Sequence, residues 1–140
     1  MSWLLDTCVL SEYATNAPAP HVIAWLDEQD EESLFMSVIS LGEIEKGILK
    51  LAATDPRRSQ KLTAWLNKVE QRFSGRILPL DSTAFHVWAQ ITAHAELAGQ
   101  PLPVMDALFM AIAQCHGLTI VTRNEKDFTP YPQVFNPWTL

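Results

Sequence analysis

A chain of 140 residues with 48% apolar and 19% charged positions is long enough to bury a core and is expected to form one domain over residues 1–140. No apolar run approaches the roughly 18 residues of a membrane span, and the short N-terminal run is interrupted by Asp6 and lacks a basic flank, so neither a membrane segment nor a signal peptide is expected. The net charge of −6 hides an uneven distribution: the segment from Lys46 to Arg76 is net +6 and the remainder net −12. Such a basic segment is a candidate surface for phosphates or an acidic partner, or else a pair of ordinary solvated helix faces.

Taken in chain order, Trp3–Leu5 predicts a buried strand that ends on Asp6. Val9–Ala14 reads as a short helix and His21–Glu28 as a second, separated by Asn16-Ala17-Pro18-Ala19-Pro20. Asp27–Glu32 is an acidic connection, and Leu34-Phe35-Met36 a second buried strand. Apolar positions at Val38, Leu41, Ile44, Ile48 and Leu51 give Ser37–Leu51 the period of an amphipathic helix. Asp55-Pro56 interrupts it, and Arg57–Phe73 forms the next helix. Ile77–Leu80 is strand-like. Asp81 is placed to cap a helix that runs to about Leu97 and stops at Gly99. Val104–Cys115 is a further apolar helix, Leu118–Thr122 a buried strand, and Val134-Phe135 a last short strand.

Strands alternating with helices predict an α/β fold with a mostly parallel sheet covered on both faces. In such sheets, sites form beyond the carboxyl ends of the strands. Acids recur there. Asp6 follows the first strand, Glu43 lies on the helix after the second, Asp106 starts the helix before a later strand, and Asn124 and Asp127 follow that strand. Convergent carboxylates suit magnesium or manganese, hard ions that prefer oxygen. The four histidines show no zinc-binding spacing. Cys8 and Cys115 read as free thiols of a cytoplasmic protein.

Each acid also has a structural alternative. Asp6 could cap the helix it precedes. Glu43 stands three residues after Ser40, the spacing of a capping box. Asp106 could complement a helix dipole, although its apolar neighbours make a merely structural carboxylate costly there. Asp127 could be a loop acid, and Asp81 reads as a cap. A haloacid-dehalogenase phosphatase would need a second Asp where Cys8 stands. A phospho-receiver domain would need a Lys where Arg123 stands. The scattered glycines form no phosphate-cradling loop.

Four segments in order carry a family resemblance: Leu5–Glu12, Ser37–Ile48, Asp106–Ala113 and Thr122–Phe128. Together they resemble the PIN-domain ribonucleases, in particular the VapC-like toxins of bacterial toxin–antitoxin pairs. The ending Val134-Phe135-Asn136-Pro137-Trp138 is similar to their Fit-type branch. The resemblance implies a three-layer α/β/α fold and a magnesium-dependent endoribonuclease, with manganese as an alternative ion. Asp6, Glu43 and Asp106 match the acidic ligands, and Asn124 stands where a fourth acid often occurs, with Asp127 as a substitute. Thr7 and Thr122 match polar positions that support ligand geometry. Lys46, Lys50 and Arg123 are candidates for a substrate rim.

The implied partners are an RNA substrate, a second copy of the chain, and a small antitoxin seated on the second to fourth helices and in the cleft, with the complex on operator DNA. A non-catalytic RNA- or protein-binding module and a DNA-directed nuclease of the same fold are the alternatives.

Overall fold

The computed structural model describes all 140 residues. Five parallel strands, β1 (Trp3–Leu5), β2 (Leu34–Ser37), β3 (Ile77–Leu78), β4 (Thr119–Val121) and β5 (Val134–Phe135), form one sheet in the order β3-β2-β1-β4-β5. The helices are α1 (Thr7–Glu12), α2 (Pro20–Glu28), α3 (Val38–Leu51), α4 (Pro56–Arg72), α5 (Ser82–Leu97) and α6 (Val104–His116).

Strand β1 is central because both of its faces are apolar. Leu4 packs with Ile120 and the buried stretch of α6, while Leu5 packs on the opposite face with Val121 and residues of α1 to α4. The pleat sends successive side chains to opposite sides, so two adjacent leucines seed two cores. Helices α5 and α6 cover one face and α1 to α4 the other, giving the expected three-layer α/β/α arrangement.

Most boundaries fall where expected, and their causes are local. Asp81 accepts from the Ala84 N–H at 2.9 Å and starts α5. Asp55 accepts from the Arg58 N–H at 3.1 Å, with Pro56 at the first turn of α4. Gly117 closes α6 at φ +62°, a left-handed conformation that favours glycine. Two expectations are corrected. Helix α1 begins at Thr7 rather than Val9, because Asp6 caps it. The cap of α3 is Ser37, which accepts from the Ser40 N–H at 3.3 Å. Ser40 therefore lies within the helix, and Glu43 has no capping-box role.

The basic segment divides. Arg76 is buried. Its guanidinium donates to the carbonyls of Glu31 at 2.7 Å, Leu34 at 2.5 Å and Arg72 at 2.6 Å, and lies 4.8 Å from the Phe73 ring centre. Arg72 pairs with Glu31 at 2.6 Å. These two arginines tie the end of α4 to the start of β2 and the turn before it, and their guanidinium groups are already engaged there. No helix is long and apolar enough to cross a membrane.

Candidate functional site

The strand order reverses between β1 and β4, since β2 and β3 extend one way from β1 and β4 and β5 the other. A crevice opens beyond the carboxyl ends of the strands at such a switch point. Here it is a cleft of about 330 Å³ whose lining includes Asp6, Glu43, Asp106, Asn124 and Asp127. All five acid or amide positions singled out in the sequence meet in this one place. They come from the end of β1, the second turn of α3, the first turn of α6 and the 3-10 turn at Glu125–Phe128.

Asp6 is the most constrained of them. Its Oδ1 accepts from the Thr7 N–H at 2.8 Å, and its Oδ2 accepts from the Thr122 hydroxyl at 2.8 Å. It is thus both the cap of α1 and a member of the cleft. Burial raises its pKa above the ordinary carboxylate value, against the lowering by the Thr122 and Thr7 hydrogen bonds; nearby Asp127 adds to the rise. Thr122 is fully buried, and its hydroxyl oxygen also accepts from the Asn124 N–H at 3.0 Å. The Thr7 hydroxyl lies 3.2 Å from Glu43 Oε1 and 3.0 Å from Ser40 Oγ. Both threonines therefore hold cleft acids in orientation.

Asp106 has its pKa raised by desolvation first, and then by the negative charges of Asp127, Asp6 and Glu43. No Lys, Arg or His lines the cleft, and none of its four acids takes part in an ion pair. Such mutual repulsion without a protein cation is relieved by a bound positive charge. No three of these side chains close on one point tightly enough to grip an ion unaided. That suits magnesium, which keeps several waters and takes one or two carboxylates directly. The cleft holds roughly ten times the 30 Å³ share of one water, room for a hydrated ion. The four acids offer it carboxylate oxygens, and the residues present fit the ion.

Cys8, read from the sequence only as a free thiol, lines the cleft with its Sγ 3.7 Å from Asp6 Oδ2. Burial and the Asp6 charge raise its pKa, so it stays a neutral thiol. None of the three expected rim residues lines the cleft. Lys46 and Lys50 border a separate depression on the outer side of α3, and Arg123 stands over the Trp138 ring at 5.5 Å. Arg58 and Lys126 escaped sequence reading because only folding brings them near. Arg58 borders a groove of about 330 Å³ between α1, α3 and α4 that reaches Thr7 and Glu43. Lys126 borders a larger groove beside Asp106 and Asp127.

A doubly wound parallel sheet with unpaired carboxylates at its switch point defines the class: a small α/β protein that gathers acids into one cleft. The PIN domain model matches residues 3–131, and the chain belongs to the PIN domain family. It is 34% identical to Toxin FitB of Neisseria gonorrhoeae over 140 residues, covering 96% of this chain and 97% of that protein. It is 31% identical to VapC ribonuclease Y4jK of Sinorhizobium fredii, with 96% of each chain covered. The crystal structure of FitAcB from Neisseria gonorrhoeae superposes with a TM-score of 0.91 at 34% identity, covering 99% of both chains. The structure of FitAB bound to an IR36 DNA fragment gives 0.90 at 33% identity, covering 99% of this chain and 96% of that one.

Proposed function

We propose that this protein is the toxic component of a toxin–antitoxin pair and a magnesium-dependent endoribonuclease, with manganese able to substitute. The observation that carries the reading is the cleft itself, where Asp6, Glu43, Asp106 and Asp127 meet with no basic side chain among them. Relatives named as a toxin and as a ribonuclease, aligned over nearly the full chain, support it.

In this reading Asp6, Glu43 and Asp106 surround the ion, one or two of them binding it directly and the rest through its waters, and Asp127 supplies the fourth negative charge that Asn124 lacks. When bound, magnesium makes a water more acidic and stabilises charge on a phosphoryl oxygen. The protein's own residues do the positioning. Thr122 and the Thr7 N–H hold both oxygens of Asp6, and Thr7 braces Glu43. Asn124 contributes a neutral amide that does not add to the repulsion of a phosphodiester. With four carboxylates and no counter-charge, the cleft repels RNA until the ion is present. Single-stranded or looped RNA, with its splayed backbone, suits such a cleft better than a duplex. The non-catalytic alternative loses its main support, because a fourth acid stands beside Asn124.

The groove between α1, α3 and α4, lined by Ile44, Ile48, Leu62 and Trp65, is suited to the apolar side of a small antitoxin helix. Its continuity with Glu43 lets the same partner reach the cleft with an Arg, and the structure of FitAB bound to a DNA fragment supports binding of the complex to operator DNA. Leu97, Val104 and Met105, 88%, 63% and 56% exposed, surround the connector from α5 to α6 and offer apolar area to a second copy of the chain. The central test is incubation of purified protein with single-stranded RNA and with DNA of the same sequence, in magnesium and then in chelator. Cleavage of RNA alone, abolished by chelator, is expected. Intact RNA in magnesium would refute the reading, and cleavage of DNA alone would reassign the substrate.

A further inference from the structure

We propose that Asn136 is a positioning residue for the cleft, clasping the turn that carries Asn124 and Asp127 against the end of β4; the role in catalysis rests on the metal-dependent nuclease reading above. The side-chain amide works at both ends. Its Oδ1 accepts from the Trp138 N–H at 2.9 Å and caps the last 3-10 turn, Pro137–Thr139. Its Nδ2 donates to Glu125 Oε2 at 3.1 Å and to the Arg123 carbonyl at 3.4 Å. The flanking chain reinforces the clasp. The Thr122 N–H donates to the Phe135 carbonyl at 3.0 Å, and the Arg123 guanidinium lies 5.5 Å from the Trp138 ring centre.

Residues 122, 123 and 125 are thus gripped by residues 135, 136 and 138 on either side of Asn124. Asn124 itself makes no capping bond with its side chain, so its amide and the Asp127 carboxylate are aimed only by the turn that bears them. The Phe128 end of the turn is fixed in the core, 5.4 Å from the Phe109 ring. The Asn124 end depends on Thr122 Oγ1 and the Asn136 clasp. The residue type follows from the geometry: an amide offers donor and acceptor together, whereas an Asp carboxylate keeps the acceptor for Trp138 and loses both donors.

The test compares the parent with N136D and with the double variant N136D/E125Q, which restores the 125–136 hydrogen bond with donor and acceptor exchanged. Three quantities are measured on each: Mn2+-dependent cleavage of a single-stranded RNA, Mn2+ affinity by calorimetry, and amide hydrogen exchange of residues 123–128 without metal. N136D should keep its melting temperature, lose about tenfold in kcat/KM, the lower end for removal of a ligand-supporting partner, bind Mn2+ more weakly, and exchange faster at Asn124 and Asp127. The double variant should recover most of each loss. N136D matching the parent in all three, or a double variant as impaired as the single, would overturn the proposal. A parent without Mn2+-dependent cleavage would instead overturn the nuclease reading, while the exchange data would still judge the clasp.

Discussion

The Thr122 hydroxyl donates to Asp6 Oδ2 at 2.8 Å across the point where the strand order reverses, joining residues 116 positions apart. The same oxygen accepts the Asn124 N–H, so one buried hydroxyl aligns two sides of the cleft. Thr122→Val keeps the shape and removes both bonds. It should cost about 1.5 to 3 kcal/mol in urea denaturation, the usual range for a hydrogen bond with a charged partner, and lower RNA cleavage about tenfold or more. Thr122→Ser, which keeps the hydroxyl, should retain most of both. Full activity of the valine variant would show that Asp6 needs no such support.

Asp106 links activity to stability through its raised pKa. The folded-state value lies above the unfolded one, so the unfolded chain releases this proton first as pH rises. The group's effect on stability is absent below the unfolded pKa of about 3.9, grows unfavourable as pH rises from there to the folded value, and is constant above it. Asp106→Asn should therefore abolish metal-dependent cleavage while raising the melting temperature at pH 7 in chelator. The gain should vanish as pH is lowered toward 3. Because the side chain is only partly buried, solvent screening keeps the gain small. Thermal melts at the two pH values, with cleavage assays beside them, check both halves; a destabilised variant at pH 7 would contradict the electrostatic account.

The neutral Asn124 and the charged Asp127 compete for the fourth place in the cleft. The Asp127 charge raises the pKa of both Asp6 and Asp106, so it lies within electrostatic reach of the centre. Asp127→Ala should reduce magnesium affinity and cleavage more than Asn124→Ala. Steady-state cleavage over a magnesium titration separates the two, and the reverse ranking would return the role to Asn124.

Much of this cleft was legible in the sequence because Asp6 follows β1 and Asn124 and Asp127 follow β4, short apolar strands too buried to go elsewhere, while Glu43 and Asp106 lie within two turns of the starts of the helices α3 and α6. The pairing of Leu4 and Leu5 with opposite cores likewise follows from the pleat. What escaped reading depends on contacts between distant segments. Ser40 and Glu43 have capping-box spacing, yet Ser37 takes the cap because β2 runs one residue further than its apolar run suggests. Charge counting could not separate Lys46 and Lys50 from Arg72 and Arg76. The first two remain exposed on α3, whereas Arg72 pairs with the Glu31 carboxylate and Arg76 is drawn to the carbonyls of Glu31, Leu34 and Arg72. The Asn136 clasp was equally invisible, since 11 to 13 residues separate its partners in the chain.

The division of the basic segment gives a final prediction. Arg76 reaches three backbone carbonyls, on Glu31, Leu34 and Arg72, with a planar fork that a lysine cannot reproduce. Arg76→Lys should lose about 2 to 4 kcal/mol, because carbonyls that had charge-assisted partners are left short of donors in a buried place. The double change Lys46→Ala and Lys50→Ala should leave stability within about 0.5 kcal/mol, as exposed substitutions do. Its effect should appear instead in the salt dependence of RNA affinity, by as much as those lysines contact phosphate. Chemical denaturation and RNA binding at two ionic strengths place each residue. If Arg76→Lys were as stable as the parent while RNA affinity fell, the arginine would belong to the nucleic-acid surface and not to the frame that holds α4 against β2.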